Sequence, residues 1–283
     1  MAHICLVTDS TSDLPDELVA RYHIHVVPAI LTIAGKSYRD GVDITRTQYY
    51  DMLPALPNLP QTASPSAGEF GAVYERCAPH ARILSLHAAA TLSGIYNSAR
   101  LASAALGERI TVVDSGSLSM GLGWQVLAAA EAIARGEPLR AILAAIADVR
   151  RRLHVFALLD TLEFLRRGGR VSLFRAGLGS LLQIKPIVEL CEGEVRTIVQ
   201  ERTRRRAFDR LVALVRGLGP LDRLAIMHTN FVEAAAALRE ALAGAATAEP
   251  VIVDATTVIG AHVGPRALGV AAVTATQDDN IEM

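Results

Sequence analysis

Short hydrophobic runs separated by amphipathic stretches dominate the first half of the chain and predict strands that alternate with helices. The strands are predicted at 4–7, 82–86 and 110–114. After the second strand, apolar side chains recur at helical spacing from Ile95 to Leu106. Because strands that alternate with helices build parallel sheets, this half is predicted to be an α/β domain.

The second half has a different pattern, in which predicted strands follow one another through shorter connections. Segments 184–190 and 195–203 flank Cys191-Glu192-Gly193-Glu194 and predict an antiparallel hairpin. The other predicted elements are strands at 153–159, 224–228, 251–253 and 268–274, helices at 172–182, 204–216 and 231–243, and a glycine-spaced loop at 256–265. This half is predicted to be an α+β domain with a mixed, partly antiparallel sheet, so the chain divides into domains 1–150 and 151–283.

Several helix starts are marked by capping residues. Thr45 and Gln48 have the spacing of a capping box. Pro65 and Ser66 predict another helix start, after the proline- and hydroxyl-rich loop 57–66. Ser12 or Asp13 is expected to cap a helix that begins near Pro15. The inner face of the helix after Ser66 is predicted to consist of Phe70, Val73, Tyr74 and Cys77.

The segment from Ser85 to Ser98 has the geometry of an anion site. It leaves a predicted strand through small and hydroxylated residues and then opens a helix, whose first N–H groups are unpaired and lie at the positive end of the helix dipole. The Ser93 hydroxyl suits either the N-cap or a ligand, and Gly94 allows a ligand to approach the backbone. From these residues alone, the alternative that Ser93 only caps its own helix stays open.

Composition and charge favour a globular protein and argue against nucleic-acid binding and a membrane span. Hydrophobic residues make up 51% of the chain and charged residues 20%, which is typical of a globular fold with a large core. The formal net charge of −1 gives no field that would favour nucleic acid. The most apolar long window, 251–275, contains Asp254, His262, Pro265 and Arg266, so no membrane span is expected.

The cysteines and the N-terminal pattern favour a cytoplasmic protein. Cys5, Cys77 and Cys191 are odd in number and far apart, so neither a disulfide framework nor a zinc site is expected. The first predicted strand begins so early that a leader peptide is not expected either.

Two other classes of protein stay as alternatives: a hydrolase or acyltransferase, and a nucleotide-binding α/β protein. A hydrolase or acyltransferase would use Ser93, His262 and an acid such as Asp114, although the sequence has no G-x-S-x-G nucleophile elbow. A nucleotide-binding α/β protein would need a P-loop or a G-x-G-x-x-G turn after a strand, and the sequence contains neither. A histidine in an apolar segment is more often a core residue than a ligand contact.

A series of short motifs, in order along almost the whole chain, resembles the DegV family of bacterial fatty-acid-binding proteins that serve fatty acid kinase. The motifs are Thr8-Asp9-Ser10-Thr11, Gln61-Thr62-Ala63-Ser64-Pro65-Ser66, Leu92-Ser93-Gly94-Ile95-Tyr96, Val113-Asp114-Ser115, Ser119-Met120-Gly121-Leu122-Gly123, Leu165-Arg166-Arg167-Gly168-Gly169-Arg170, Ile184-Lys185-Pro186 and His262-Val263-Gly264-Pro265. The resemblance implies an α/β and an α+β domain with a long-chain fatty acid buried between them. It implies no cofactor, and a separate, dihydroxyacetone-kinase-like fatty acid kinase as partner, which makes the acyl-phosphate that feeds phospholipid synthesis.

The resemblance also assigns residues. The ligand carboxylate is expected at Thr62, Ser93 and His262, with Ser64 and Gly94 beside it. Arg170 and Arg202 resemble positions tied to phosphoryl transfer and kinase docking. By itself, the arginine cluster that begins at Arg202 would usually be a solvated helix face, and only the match of Arg170 and Arg202 to the family favours a docking face.

The chain departs from the family pattern at three positions near these motifs. Ala63 replaces a more common serine, Ile95 replaces a more common threonine, and Arg266 stands where a small residue is usual. These changes bear on the hydroxyl groups near the carboxylate and on the charge and width of the mouth of the site.

Overall fold

The structure is a computed structural model that describes residues 4–56, 58–77, 79, 82–169, 174–175 and 184–276, with the backbone alone at 174–175. Single turns of 3₁₀-helix occur at Ser10–Ser12 and Leu53–Ala55, and a longer one at Ala104–Arg109.

Strands alternate with helices in the first half of the chain. Its elements are β1 (Ile4–Asp9), α1 (Asp16–Arg21), β2 (His25–Val27), β3 (Ile30–Ile33), β4 (Lys36–Arg39), α2 (Arg46–Met52), β5 (Gln61–Ala63), α3 (Ala67–Arg76), β6 (Arg82–His87), α4 (Ile95–Ser103), β7 (Ile110–Asp114), α5 (Met120–Ala134) and α6 (Leu139–Arg152). Within the described residues, the main sheet has the order β2-β1-β6-β7 and is parallel throughout, as predicted. A small antiparallel sheet, β4-β3-β5, lies beside it.

The second half forms one mixed sheet. Its elements are β8 (Leu153–Leu158), α7 (Glu163–Arg167), β9 (Phe174–Arg175), β10 (Lys185–Cys191), β11 (Glu194–Glu201), α8 (Arg204–Arg216), β12 (Leu221–His228), α9 (Val232–Ala241), β13 (Val251–Asp254), α10 (Thr257–Val263) and β14 (Leu268–Thr274). Among the described strands the order is β13-β12-β14-β8-β10-β11-β9. The pairs β12–β13 and β9–β11 are parallel and the others antiparallel, which confirms the predicted α+β character.

Helix α5 is the element that the two sheets share. It is apolar on nearly all sides, and it packs in one hydrophobic cluster with Leu84 of the first sheet and Val155 and Ala271 of the second. The indole Nε1 of Trp124 donates a hydrogen bond of 2.9 Å to the carbonyl of Ala271. A helix that is buried all round in this way makes the two halves of the chain one continuous core.

The glycines of α5 are explained by this burial. A Cβ on Gly121 would lie 2.7 Å from Cγ2 of Val155, and one on Gly123 would lie 2.8 Å from the carbonyl oxygen of Ser12. Both distances are shorter than real carbon contacts, so the helix reaches strand β8 and the loop after β1 only because these side chains are missing. The Ser-Met-Gly-Leu-Gly motif is therefore a packing motif.

The predicted helix caps are partly confirmed. The predicted Thr45–Gln48 capping box forms, and the helix start predicted at Ser66 is confirmed, with a second capping box there between Ser66 and Glu69. The expected cap at Ser12 or Asp13 is wrong, because Pro15 occupies the N-cap position of α1 and no side chain bonds to that helix end. Asp13 instead adopts a left-handed conformation and turns toward the second half of the chain.

Three further expectations about elements need correction. The segment 256–265 was expected to be a loop, but most of it forms the short helix α10. Gln61–Ala63 lies in strand β5 rather than in a loop, because it pairs with β3. The expected helix at 172–182 lies outside the described residues, apart from Phe174–Arg175, which are a strand. The domain boundary at 150 stays a prediction.

The expectation that the cysteines are unpaired is wrong for two of them. Cys5 and Cys77 form a disulfide across a sequence separation of 72 residues, whereas Cys191 is free and exposed. The spacing of these two cysteines does not indicate the pair, because only the packing of α3 on β1 brings them together. Among the described residues, no helix is long and apolar enough to cross a membrane.

Candidate functional site

A cavity of about 420 Å³ lies between the two halves of the chain. One wall comes from the second sheet, where alternate residues of neighbouring strands point to the same face. These residues are Val155, Ala157 and Leu159 on and just after β8, Val188 and Leu190 on β10, and Val195 on β11. All six are aliphatic, so this wall suits a hydrocarbon chain.

Another part of the cavity lining carries the polar side chains. Thr62 and Ser64 lie on and just after β5, and Ser93 precedes α4. Strand β5 is fixed by its register with β3, in which Thr62 lies opposite Leu31. Together with His262 we call these side chains the polar cluster (Thr62, Ser64, Ser93, His262).

His262 and Thr62 are in direct contact. Nε2 of His262 lies 2.8 Å from Oγ1 of Thr62, across 200 residues of sequence. Either atom is the donor, depending on the imidazole tautomer. A hydroxyl next to an imidazole offers hydrogen bonds to a carboxylate or another polar head group, while the aliphatic wall accommodates an apolar tail.

Two buried carboxylates hold the helix that carries His262. Oδ1 of Asp13 accepts a hydrogen bond of 2.8 Å from the N–H of Thr256, and Oδ1 of Asp40 accepts bonds from the N–H and the hydroxyl of Thr257. Carboxylates suit this position because the first N–H groups of a helix are unpaired and carry the positive end of its dipole. Thus α10 belongs to the second half of the chain by sequence but is anchored to the first.

The Asp13 carboxyl is fully buried, and burial raises its pKa to about 6, although Arg46 and the hydrogen bond from Ser119 act in the opposite direction. Burial likewise raises the pKa of Asp40. Because the folded state then binds more protons than the unfolded chain between about pH 4 and 6, the stabilising contribution of Asp13 declines as the pH rises through this window.

The other end of α10 is closed by Gly264. This residue has φ 77° and ψ 175°, and a Cβ added to it would overlap the ring of Phe164 on α7. Gly168, just after α7, approaches the imidazole so closely that its Cβ would lie 3.0 Å from Nδ1 of His262. The segment Phe164–Gly168 and the end of α10 therefore pack as one unit around His262.

The Ser93 segment differs in detail from the expectation. Gly94, not Ser93, occupies the N-cap position of α4, and the Ser93 Oγ accepts a hydrogen bond of 3.3 Å from the N–H of Ile95. A Cβ on Gly94 would lie 3.0 Å from Oγ of Ser64, so the glycine allows the two loops to meet. Thr62, Ser64, Ser93, Gly94 and His262 all line the same cavity, and their role in binding stays a prediction.

Sequence reasoning missed the contacts that close the cavity on another side. The hydroxyl of Thr91 donates a hydrogen bond of 2.6 Å to the carbonyl of Gly193, at the tip of the β10–β11 hairpin. The N–H of Gly193 donates to the carbonyl of Gly116 at 2.7 Å. The only sequence signal was the turn-forming Glu192-Gly193 pair, which predicted the hairpin but not what its tip contacts.

The hydrolase alternative finds no support in this geometry. Both carboxylate oxygens of Asp114 accept backbone N–H groups, from Ala90 and Gly116, and the imidazole of His262 meets Thr62 instead. A Ser-His-Asp series does occur at Ser85, His87 and Asp9, with 2.6 Å and 3.0 Å between its polar atoms.

That series is sealed inside the protein. Ser85, His87 and Asp9 have no exposed surface, and the Ser85 hydroxyl is also bonded to Tyr74. A nucleophile must reach its substrate, so this arrangement is structural. Through Asp9 it also fixes Thr11 in the cavity wall, because the Thr11 hydroxyl donates to that carboxylate.

Of the two arginines that the resemblance assigns to phosphoryl transfer and kinase docking, the structure describes only Arg202. Arg202 is exposed in the turn between β11 and α8, and it does not line the cavity. Arg170 lies outside the described residues. Two neighbouring arginines, Arg204 and Arg266, both lie over the ring of Phe231, with 4.3 Å and 4.4 Å to the ring centre.

Known proteins are similar to this chain in sequence and in fold. A sequence profile described as "Uncharacterised protein, DegV family" matches residues 3–275. A DegV domain-containing protein of Deinococcus radiodurans is 36% identical over 273 residues, covering 95% of this chain and 97% of its own. A DegV family protein from Thermus thermophilus, described as fatty acid binding, has a TM-score of 0.89 at 36% identity, covering 97% of this chain and all of its own. DegV from Bacillus subtilis, described as a fatty acid binding protein, has a TM-score of 0.87 at 29% identity, covering 97% of this chain and 100% of its own.

Proposed function

The chain belongs to the DegV family, and from that premise we propose that it binds a long-chain fatty acid in the cavity between its two sheets. The observation that carries the proposal is the cavity itself, whose lining combines an aliphatic wall with a polar cluster that contains the Thr62–His262 hydrogen bond. The fatty-acid-binding relatives from Thermus thermophilus and Bacillus subtilis support the same ligand class.

The aliphatic wall and the polar cluster contribute different parts of the binding free energy. Each buried methylene of an acyl chain contributes about 0.8 kcal/mol before the cost of association. A buried carboxylate is costly unless it accepts hydrogen bonds, and Thr62, Ser93 and His262 supply donors for it. The aliphatic wall thus supplies most of the affinity, and the polar cluster fixes the direction in which the chain lies.

We propose further that the bound carboxylate is presented to a separate fatty acid kinase. The sequence has no phosphate-cradling loop, so the phosphoryl donor has to be held by another protein. Arg202 is exposed and outside the cavity, which leaves its guanidinium available for a partner or for a developing phosphate charge. Arg170 is assigned the same role on the resemblance alone.

Native mass spectrometry of the protein purified from cells tests the ligand class directly. We expect a bound species with the mass of a long-chain fatty acid, released when the protein is denatured. A nucleotide mass, or a protein that stays empty when incubated with fatty acids of several lengths, would contradict the proposal.

Ser93→Ala is expected to weaken lipid retention more than it affects folding. The change removes one hydrogen bond to an ionised carboxylate, worth about 1.5–3 kcal/mol or roughly 10- to 150-fold in affinity. The local cost is the weak Ser93–Ile95 bond only. Ser98→Ala, on the same helix but outside the cavity lining, is the matched control. Equal fatty-acid affinity in the two variants would show that Ser93 does not hold the head group.

Arg202→Ala is expected to separate binding from phosphoryl transfer. The variant should purify with lipid at the wild-type level, whereas acyl-phosphate formation by the kinase falls at least about tenfold, as expected for a lost charge-assisted contact. Arg140→Ala, an exposed arginine on α6, serves as control. Loss of lipid from Arg202→Ala, or unchanged phosphorylation, would contradict this division of roles.

A further inference from the structure

Three residues with metal-binding side chains converge on the face of the first sheet that α3 covers. Strands β1 and β2 are parallel with Val7 opposite His25. Cys5 lies two residues before Val7, which is paired with His25. The side chains of Cys5 and His25 therefore point to the same face of the sheet. Cys77 stands at the C-terminal end of α3 and packs into the hydrophobic cluster that Cys5 and Val7 share.

The ligand atoms are close enough for a single ion. The sulfur atoms of Cys5 and Cys77 and a ring nitrogen of His25 all lie within 4.8 Å of one another. Around a tetrahedral zinc ion with Zn–S bonds of 2.3 Å, two sulfur ligands stand about 3.8 Å apart. Opening the Cys5–Cys77 bond therefore brings the thiols to the required spacing through a small rotation, with no change of fold.

We propose that Cys5, His25 and Cys77 form a zinc site when the two cysteines are reduced, and that the disulfide in this structure is the oxidised state of the same site. Two thiolates and one imidazole are the soft S/N ligands that zinc prefers over magnesium or calcium. None of the three residues lines the fatty-acid cavity, so this inference does not rest on the proposed function.

Charge and burial both favour zinc at this position. Cys5 and Cys77 are almost fully buried, and two buried thiolates without a counter-charge would be very costly. The two positive charges of a zinc ion neutralise the two thiolates. The loaded site is therefore neutral and needs no further ion pair. His25 is half-buried on the edge strand β2, which leaves the fourth coordination position to water or a small ligand.

The two states interconvert by balanced chemistry. A small hydroperoxide reaches the thiolates from the side of half-buried His25, on the edge strand β2. It takes two electrons from the two thiolates, forms the S–S bond, breaks its own O–O bond and leaves as alcohol and water after taking up two protons. The zinc ion is released because neither sulfur still carries the charge that bound it. A dithiol reductant reverses the step by forming its own disulfide, and rebinding of zinc displaces the two thiol protons.

Metal titration of the reduced full-length protein tests the proposal. The protein is reduced with a phosphine without oxygen, freed of metal by a chelator and titrated with Co²⁺ and then Zn²⁺. We expect one ion per chain, a thiolate-to-cobalt charge-transfer absorption, and displacement of cobalt by zinc. Protein with the disulfide intact should show none of these. Reduced protein without the charge-transfer absorption would overturn the proposal.

Single substitutions identify the ligands. Cys5→Ser, Cys77→Ser and His25→Ala should each lower zinc affinity at least tenfold, since even the loss of an outer partner of a zinc ligand costs about 10- to 100-fold. Cys191→Ser changes the free, exposed cysteine and should bind zinc like the unchanged protein. Unchanged zinc affinity in His25→Ala, which keeps both buried thiols, or loss of binding in Cys191→Ser would refute the assignment even if the buried-cysteine variants fold poorly.

Discussion

Ala157→Trp is expected to abolish retention of the fatty acid while leaving the protein folded. Ala157 lies in the middle of the aliphatic wall, opposite Val188 in the neighbouring strand. An indole at this position occupies space in the cavity of about 420 Å³ that the acyl chain would otherwise fill. Each displaced methylene costs about 0.8 kcal/mol, close to fourfold in affinity, so displacement of about five reduces binding roughly 1000-fold.

The measurement is lipid occupancy in native mass spectra together with fatty-acid affinity of the delipidated protein. Ala157→Val adds less volume and should shift the bound population toward shorter chains without emptying the site. Ala213→Trp makes the same change on the exposed face of α8 and is the control for a general effect of tryptophan. Wild-type occupancy with the same chain lengths in Ala157→Trp would mean that the acyl chain does not lie in this cavity.

Gly264→Ala is expected to destabilise the protein by about 3 kcal/mol or more and to release the lipid. The backbone of Gly264, with φ 77° and ψ 175°, lies in a region that residues with a side chain hardly adopt, at a cost of about 1–3 kcal/mol. The added methyl group also overlaps the ring of Phe164, and such overpacking costs about 1–3 kcal/mol more. Because His262 lies two residues earlier, the same displacement disturbs its contact with Thr62.

Gly244→Ala is the matched control, because Gly244 has the same φ of 77° but no atom within 4 Å of an added Cβ. It should cost only the penalty of a side chain at positive φ, about 1–2 kcal/mol, and leave lipid occupancy unchanged. Urea unfolding gives both free energies of unfolding. If the two variants lose equal stability and both keep lipid, the packing of Phe164 against Gly264 does not hold the site together.

Elements whose signals are local could be predicted from the sequence. The Thr45–Gln48 capping box depends on residues three apart and forms as predicted, and α3 begins after Ser66 as the Pro65-Ser66 pair predicted. The β10–β11 hairpin was marked by two apolar runs around Glu192-Gly193. The parallel direction of the strands in the first sheet followed from the alternation of strands and helices. The motif series identified the family.

The errors arose where a distant partner decides the local structure. Asp13 looked like a helix cap, but it accepts the N–H of Thr256 from the other half of the chain. Segment 256–265 looked like a loop because of its glycines, yet α10 forms since Asp13 and Asp40 bind its first N–H groups. The contact between Thr62 and His262 is of the same kind, and only the family resemblance pointed to it.

The position of α5 has a consequence for how the molecule unfolds and opens. Because this helix belongs to both sheets through one continuous core, separating the two halves would expose its apolar surface on every side. Heat or denaturant should therefore unfold the chain in one cooperative transition, and neither half should persist alone after proteolysis.

For the same reason a hinge motion between the halves is not available as a route to the cavity. If the acyl chain lies in this cavity as proposed, it has to pass through local, transient openings of the segments that line the cavity. Its exchange rate should then vary with local stability rather than with that of the whole fold.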